Sequence, residues 1–166
     1  MSFLSKVFGK SDNQVKKKEK VKLSHDSGVP YNHYLISVLK KDHKQLKQEF
    51  EKIIKSSKNK NFKILKRNIK TFKITFEIHN YSEKIQFYLY LKNYYKDMNE
   101  ENFINNMADS AEKVYQDIIH FLKKYESIEF NNQYLELFKK ELEAIEKILK
   151  SRIDIEESEL YQLYKK

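Results

Sequence analysis

"FKITFEIHNYSEKIQFYLY", residues 72 to 90, is the segment that most clearly indicates the architecture of this chain. Its apolar and aromatic residues recur every three or four positions, which predicts a helix with one face against a core. Two positions on that face, His79 and Glu83, are ionisable. Because a buried carboxylate without a partner costs several kcal/mol, the pair requires a partner that the local sequence does not supply.

The rest of the chain continues this helical pattern. Both glycines and the only proline lie within the first 30 residues, so the long C-terminal part has none of the strong helix breakers. Polar clusters interrupt the apolar periodicity at 55–61, 96–102 and 126–133. Short connections between long helices favour antiparallel neighbours. The sequence therefore predicts an all-α, up-down-up-down antiparallel four-helix bundle, with helices at about 33–55, 61–96, 101–126 and 132–164.

The length and composition of the chain limit the classes of protein to which it can belong. A chain of 166 residues with 40% hydrophobic content suits one domain with one core. It contains no cysteine, which excludes disulfides, thiolate nucleophiles and Cys-ligated zinc or iron–sulfur sites. No apolar run approaches the roughly 18 residues that a membrane span needs, and the N-terminus lacks the pattern of a secretory signal. We therefore expect a cytoplasmic protein.

The N-terminal segment differs from the remainder in charge and composition. Residues 1–30 carry seven lysines against three acidic residues, which places +4 of the net charge of +9 in this segment. The sequence predicts a basic flexible tail here, followed by the bundle over 31–166. Apolar residues such as Phe3 and Phe8 share one face of a short helical stretch, so residues 1–22 could alternatively contact an anionic membrane surface or a partner groove. The remaining charge is spread over a mixed surface, which argues against a nucleic-acid partner.

Ionisable residues interrupt the apolar stripes of three of the predicted helices. The first helix carries His43 and the second carries His79 and Glu83, while the fourth carries Arg152 and Glu156. At a rise of about 1.5 Å per residue from the connecting turns, these positions fall in one layer of the bundle. We therefore predict that they meet in space.

The same layer crosses the third helix near Ala111. His120 lies some nine residues further along, or about 13 Å from the layer, and is excluded as a ligand. Whether Glu112 or Tyr115 supplies a further ligand from this helix stays open.

Three motifs in these helices resemble those of a known family. They are "LKKDHKQL" around His43, "HNYSEKIQFY" beginning at His79 and "RIDIEESELY" beginning at Arg152. Over residues 33–164 the chain is similar to the hemerythrin-like, or HHE cation-binding, domains. The resemblance implies a four-helix bundle whose interior holds two iron ions, bridged by carboxylates and otherwise bound by histidine.

The resemblance also assigns a role to each matching residue. His43 and His79 correspond to terminal ligands of one iron. Glu83 and Glu156 correspond to the bridging carboxylates. The resemblance therefore implies a metal site built from these four residues.

The second metal site of the family is degenerate in this chain. The third helix has "SAE", residues 110–112, where the family has a histidine, and the fourth helix has Arg152. We therefore predict a mononuclear rather than a dinuclear site, with iron as the metal and manganese or zinc as alternatives. The Arg152 guanidinium would lie beside the ligands and supply positive charge to carboxylates that no longer bridge.

The predicted function follows from this site. A non-haem metal with open positions suits the sensing or handling of O₂, NO or iron more than catalytic turnover, so the expected partners are the metal ion and a small diatomic ligand. The alternative is a metal-free polar layer in which Arg152 bonds Glu83 and Glu156 and fixes helix register. Through its Arg-x-x-x-Glu spacing, the fourth helix also resembles that of anti-sigma regulators of the sigma D type. That second resemblance implies an adaptor that binds a regulatory protein partner.

Overall fold

The computed structural model describes residues 28–166, which form a bundle of four helices without strands. The first helix is α1 (Leu35–Lys58). The second consists of three consecutive segments: α2 (Phe62–Ser82), a first π segment (Glu83–Tyr88) and α3 (Leu89–Tyr94). The third helix is α4 (Met98–Ser127). The fourth also consists of three: α5 (Asn132–Ile155), a second π segment (Glu156–Leu160) and a 3₁₀ turn (Tyr161–Leu163).

This architecture confirms the predicted all-α four-helix bundle, and only two helix ends differ from their predicted positions by as many as three residues. The first helix extends to Lys58, three residues beyond the predicted end. The third begins at Met98 rather than near 101, because the Asp97 side chain accepts hydrogen bonds from the amides of Asn99 and Glu100. Local capping therefore sets this boundary, which apolar periodicity alone does not reveal.

The predictions for the N-terminal segment concern residues 1–27 almost entirely, and these lie outside the described residues. They are the basic tail over 1–30 and the contact of residues 1–22 with a membrane surface. Within residues 28–166, no helix combines the length and the apolar character needed to cross a membrane.

Two apolar clusters fill the bundle, one on either side of a polar layer. The larger cluster includes Phe50, Phe72 and Phe138, near the end where the first helix connects to the second. The smaller cluster includes Phe87 and Tyr90 at the opposite end. The polar layer between them consists of five buried residues: His43, His79, Glu83, Arg152 and Glu156.

Both π segments begin at a glutamate of the polar layer. In an α-helix with about 3.6 residues per turn, residues five apart point roughly 140° away from each other. A π segment joins residues five apart by hydrogen bonds, as the Tyr161 amide does with the Glu156 carbonyl, and so stacks them on one face. The second π segment therefore turns Tyr161 toward the side of Glu156, and the first places Tyr88 on the side of Glu83.

Candidate metal centre

Two imidazoles and a carboxylate converge at the centre of the polar layer. One donor atom from each of His43, His79 and Glu156 lies within 4.8 Å of the other two, and all three residues are buried. Nε2 of His43 is 3.2 Å from Oε2 of Glu156. Imidazole and carboxylate donors at this spacing, supplied by three different helices, suit a single divalent ion.

Glu83 lies next to this group of three and is connected to it through Tyr161. The Tyr161 hydroxyl donates a hydrogen bond to Oε1 of Glu83 at 3.0 Å. The hydroxyl oxygen of Tyr161 also lies 3.2 Å from Nε2 of His43. Glu83 itself is 5% exposed. The structure thus places all four predicted ligand residues in the polar layer, with the Tyr161 hydroxyl between Glu83 and His43.

Glu157 determines that Nδ1 of His43 carries a proton. Nδ1 of His43 is 2.8 Å from Oε1 of Glu157. Because an ionised carboxylate can only accept, Nδ1 carries the proton and donates it to this bond. A neutral His43 then turns the lone pair of Nε2 toward Glu156, which is also an acceptor. These two atoms need a positive charge between them, either a second proton on the imidazole or a metal ion.

His79 has a buried nitrogen without a hydrogen bond. Its Nδ1 lacks a partner among residues 28–166, and Oδ2 of Asp42 lies 3.7 Å away. That distance is too long for a hydrogen bond, but it places a carboxylate on the Nδ1 side of the ring. Since a buried unpaired polar atom costs about 1–3 kcal/mol, a small rotation that brings Nδ1 to Asp42 is favoured and leaves Nε2 as a metal donor.

Arg152 binds the other oxygen of Glu156. Its Nε donates to Oε1 of Glu156, and a terminal guanidinium nitrogen donates to the Tyr88 hydroxyl. Since His43 faces Oε2, the two carboxylate oxygens of Glu156 have different partners. The metal-free alternative expects Arg152 to bond Glu83 as well as Glu156. In the structure, the second partner of Arg152 is Tyr88.

The pKa values of the two glutamates of the layer are shifted in opposite directions. Burial, together with the nearby charge of Glu156, raises the pKa of Glu83 well above its usual value. Burial also opposes ionisation of Glu156, but contact with His43 and the charge of Arg152 outweigh it, so the pKa of Glu156 is lowered. A divalent cation at the site would favour the ionised form of Glu83, because metal binding releases protons from its ligands.

Four residues that shape the site were not predicted from the sequence: Asp42, Tyr88, Glu157 and Tyr161. The two acids are adjacent in sequence to a predicted ligand. The two tyrosines each follow a predicted glutamate ligand by five positions, in "EKIQFY" and "EESELY". This repeated Glu-x-x-x-x-Tyr spacing is the signal that could have identified them, since only a π segment brings its two ends to one face.

The third helix lines two cavities beside the layer. A small cavity of about 30 Å³ is bordered by the predicted ligands and by Ala111, and it is large enough for an ion or one water. A cleft of about 360 Å³ lies between the second and third helices. Both are lined by Asn80, Glu83 and Ala111, so the cleft reaches the polar layer at Glu83.

Three other residues of the third helix have contacts outside the converging donors, although Tyr115 also borders the small cavity. Glu112 pairs with Lys84, with 3.0 Å between Oε2 and Nζ. The Tyr115 ring stacks on Phe76, with 5.8 Å between ring centroids. His120 is exposed. The structure therefore favours neither of the helix-three ligands that the sequence left open.

The residues present fit one cation better than two. The donor set of two imidazoles and two carboxylates suits Fe(II), Mn(II) or Zn(II). The facing acceptors on His43 and Glu156 indicate where positive charge is required. The Arg152 guanidinium already holds Oε1 of Glu156, the oxygen with which a bridging carboxylate would bind a second ion.

The chain matches one family model over almost the whole bundle. The model is described as the hemerythrin HHE cation binding domain, and the match covers residues 34–164. No curated protein and no solved structure matches the chain. The matched range includes all four helices and every residue of the polar layer.

Proposed function

Since the chain belongs to the hemerythrin HHE cation-binding domain family, we propose that it binds one non-haem metal ion through four residues: His43, His79, Glu83 and Glu156. The observation that carries this proposal is the approach of His43 Nε2 to Glu156 Oε2 at 3.2 Å. With the Nδ1 proton of His43 held by Glu157, these two atoms lie in contact inside a buried layer and need either a second proton on the imidazole or a cation between them. A bound cation satisfies both.

Iron is the metal that we propose, with manganese and zinc as the alternatives for the same donors. The ion would supply positive charge and open coordination positions at the centre of the bundle. Arg152 supports a mononuclear rather than a dinuclear site, because its charge neutralises Glu156 from the other side.

The proposed role is the sensing or handling of O₂, NO or iron in the cytoplasm. The cleft of about 360 Å³ offers a small ligand a route to Glu83 from between the second and third helices. The first, second and fourth helices each carry at least one of the proposed ligands. A change at the ion would therefore be transmitted to three helices together, which suits a sensor.

The test is elemental analysis of protein expressed with supplied iron and purified without oxygen. We expect about one equivalent of iron in the wild type, and loss of most of it in His79→Ala. His120→Ala is the matched control, because this histidine is exposed and should leave the metal content unchanged. A metal-free wild type counts against the whole proposal. Equal metal content in His79→Ala and the wild type would remove His79 from the ligand set.

A second candidate function is a metal-free adaptor that binds a regulatory protein. The contacts of Arg152 with Glu156 and Tyr88 favour it, since they satisfy part of the polar layer without any ion. The adaptor predicts a bundle whose stability is the same with and without a chelator.

A further inference from the structure

The Tyr161 hydroxyl lies among the proposed metal ligands, and this placement suggests a role beyond hydrogen bonding. We propose that Tyr161 is a fifth protein ligand of the ion, so that ferric iron at this site is bound as a tyrosinate. This inference rests on the proposed metal site. It concerns a residue that the predicted ligand set does not include.

The spacing of the donor atoms supports this role. Two ligands about 2.1 Å from a metal and at right angles to each other lie about 3.0 Å apart. The Tyr161 oxygen is 3.0 Å from Oε1 of Glu83 and 3.2 Å from Nε2 of His43. The His43 to Glu156 separation is also 3.2 Å. The phenol oxygen is thus spaced from its neighbours as a ligand would be.

Two other buried tyrosines of the bundle direct their hydroxyls away from the polar layer. The Tyr90 hydroxyl donates to the carbonyl of Lys165, and the Tyr95 hydroxyl donates to the carbonyl of Leu163. The Tyr161 hydroxyl instead contacts two members of the proposed ligand set. One hydrogen-bond partner would satisfy the Tyr161 hydroxyl, whereas its oxygen lies beside two proposed metal ligands.

The Tyr161 ring is held in place on two sides. It stacks on the His43 ring, with 5.6 Å between centroids and 12° between planes. The Phe87 ring packs edge-on against it, at 5.1 Å and 78°. The second π segment fixes the backbone that carries it. The oxygen is therefore oriented before any ion binds, which lowers the entropic cost of using it as a ligand.

The chemistry of the ligand requires one proton to leave. The phenol O–H bond breaks as the oxygen binds the cation, and the proton passes to solvent, so no oxidant or reductant takes part in this exchange. Phenolate is a hard oxygen donor and favours ferric over ferrous iron.

The test compares the wild type, Tyr161→Phe and Tyr164→Phe. Each is loaded anaerobically with ferrous iron and oxidised with one equivalent of ferricyanide, and its absorption spectrum and iron content are measured. We expect a visible tyrosinate-to-iron charge-transfer band in the wild type and in Tyr164→Phe, and its loss in Tyr161→Phe with iron still bound. Tyr164 is the control because it is buried close by in sequence but accepts from the Asn32 amide, outside the polar layer.

Two outcomes would overturn the role of Tyr161 and leave the metal site standing. They are an iron-loaded wild type without the band, and a band that persists in Tyr161→Phe. A wild type that binds no iron would remove the site and its fifth ligand together. Should Tyr161→Phe fail to fold, resonance Raman spectra of wild type grown with ring-deuterated tyrosine decide the question. Phenolate vibrations that shift on deuteration support the proposal, and their absence contradicts it.

Discussion

Each imidazole of the polar layer has an acidic residue on its Nδ1 side. Glu157 bonds Nδ1 of His43 at 2.8 Å, and Asp42 lies 3.7 Å from Nδ1 of His79. Both carboxylates are only partly buried, with 34% and 33% of their side chains exposed. Such outer carboxylates fix the tautomer of a metal-binding histidine and raise its basicity.

Removing one of these carboxylates should weaken metal binding without removing a ligand. We expect Glu157→Ala to lower the zinc affinity by about 10- to 100-fold, the range usual for such partners, because Nδ1 of His43 loses its acceptor. Competition with a chromophoric chelator measures the affinity. Glu159→Ala is the control, since Glu159 lies in the same π segment but is exposed. Equal affinities in the two variants would mean that Glu157 does not orient His43.

The sequence predicted the buried ionisable residues well and their contacts poorly. His43, His79 and Glu156 occupy core-facing positions because a helix returns to the same face every three or four residues. The bond from His43 to Glu157 joins residues 114 positions apart, so it depends on how the first and fourth helices meet. Periodicity within one helix contains no information about that crossing.

At the scale of the helices, the two π segments are the feature that the sequence prediction lacked. A regular α-helix through residues 72–90 places both Glu83 and Phe87 inward, as observed. In either the second or the fourth helix, regular α-helical geometry would turn the residue five positions after Glu83 or Glu156 away from the layer. The π segments reverse this for the tyrosines at those positions. Because π segments are often found at functional sites, their start at two proposed ligands supports the site.

The third helix should control the rate at which an ion or small ligand exchanges. Ala111 lines both the cleft and the small cavity, so Ala111→Leu would fill the passage between them. We expect zinc removal by an added chelator to slow by about tenfold, equivalent to about 1.4 kcal/mol in the barrier. Ser110→Leu, at an exposed neighbouring position, should exchange like the wild type. If Ala111→Leu exchanges at the wild-type rate, ions reach the site by another route.

Over the whole molecule, the polar layer separates two apolar clusters that could each pack without it. The layer contains two glutamates, two histidines and an arginine, and all five are buried. Replacing buried charged groups by apolar ones is often neutral or stabilising, so stability alone does not account for such a layer. The proposed ion would account for it, because it would join the first, second and fourth helices between the two clusters.

Metal-linked stability therefore distinguishes the proposed metal protein from the adaptor. A ligand that binds only the folded state at 100 times its dissociation constant stabilises that state by about 2.7 kcal/mol. For a domain of this size, that raises the melting temperature by about 5–11 °C. We expect this rise when zinc, a redox-inert probe, is added to chelator-treated wild type, measured by circular dichroism. His43→Ala should fold but show little rise, because it lacks a proposed ligand. A wild type that melts at the same temperature with zinc and with chelator would instead favour the adaptor, whose arginine and tyrosine contacts need no ion.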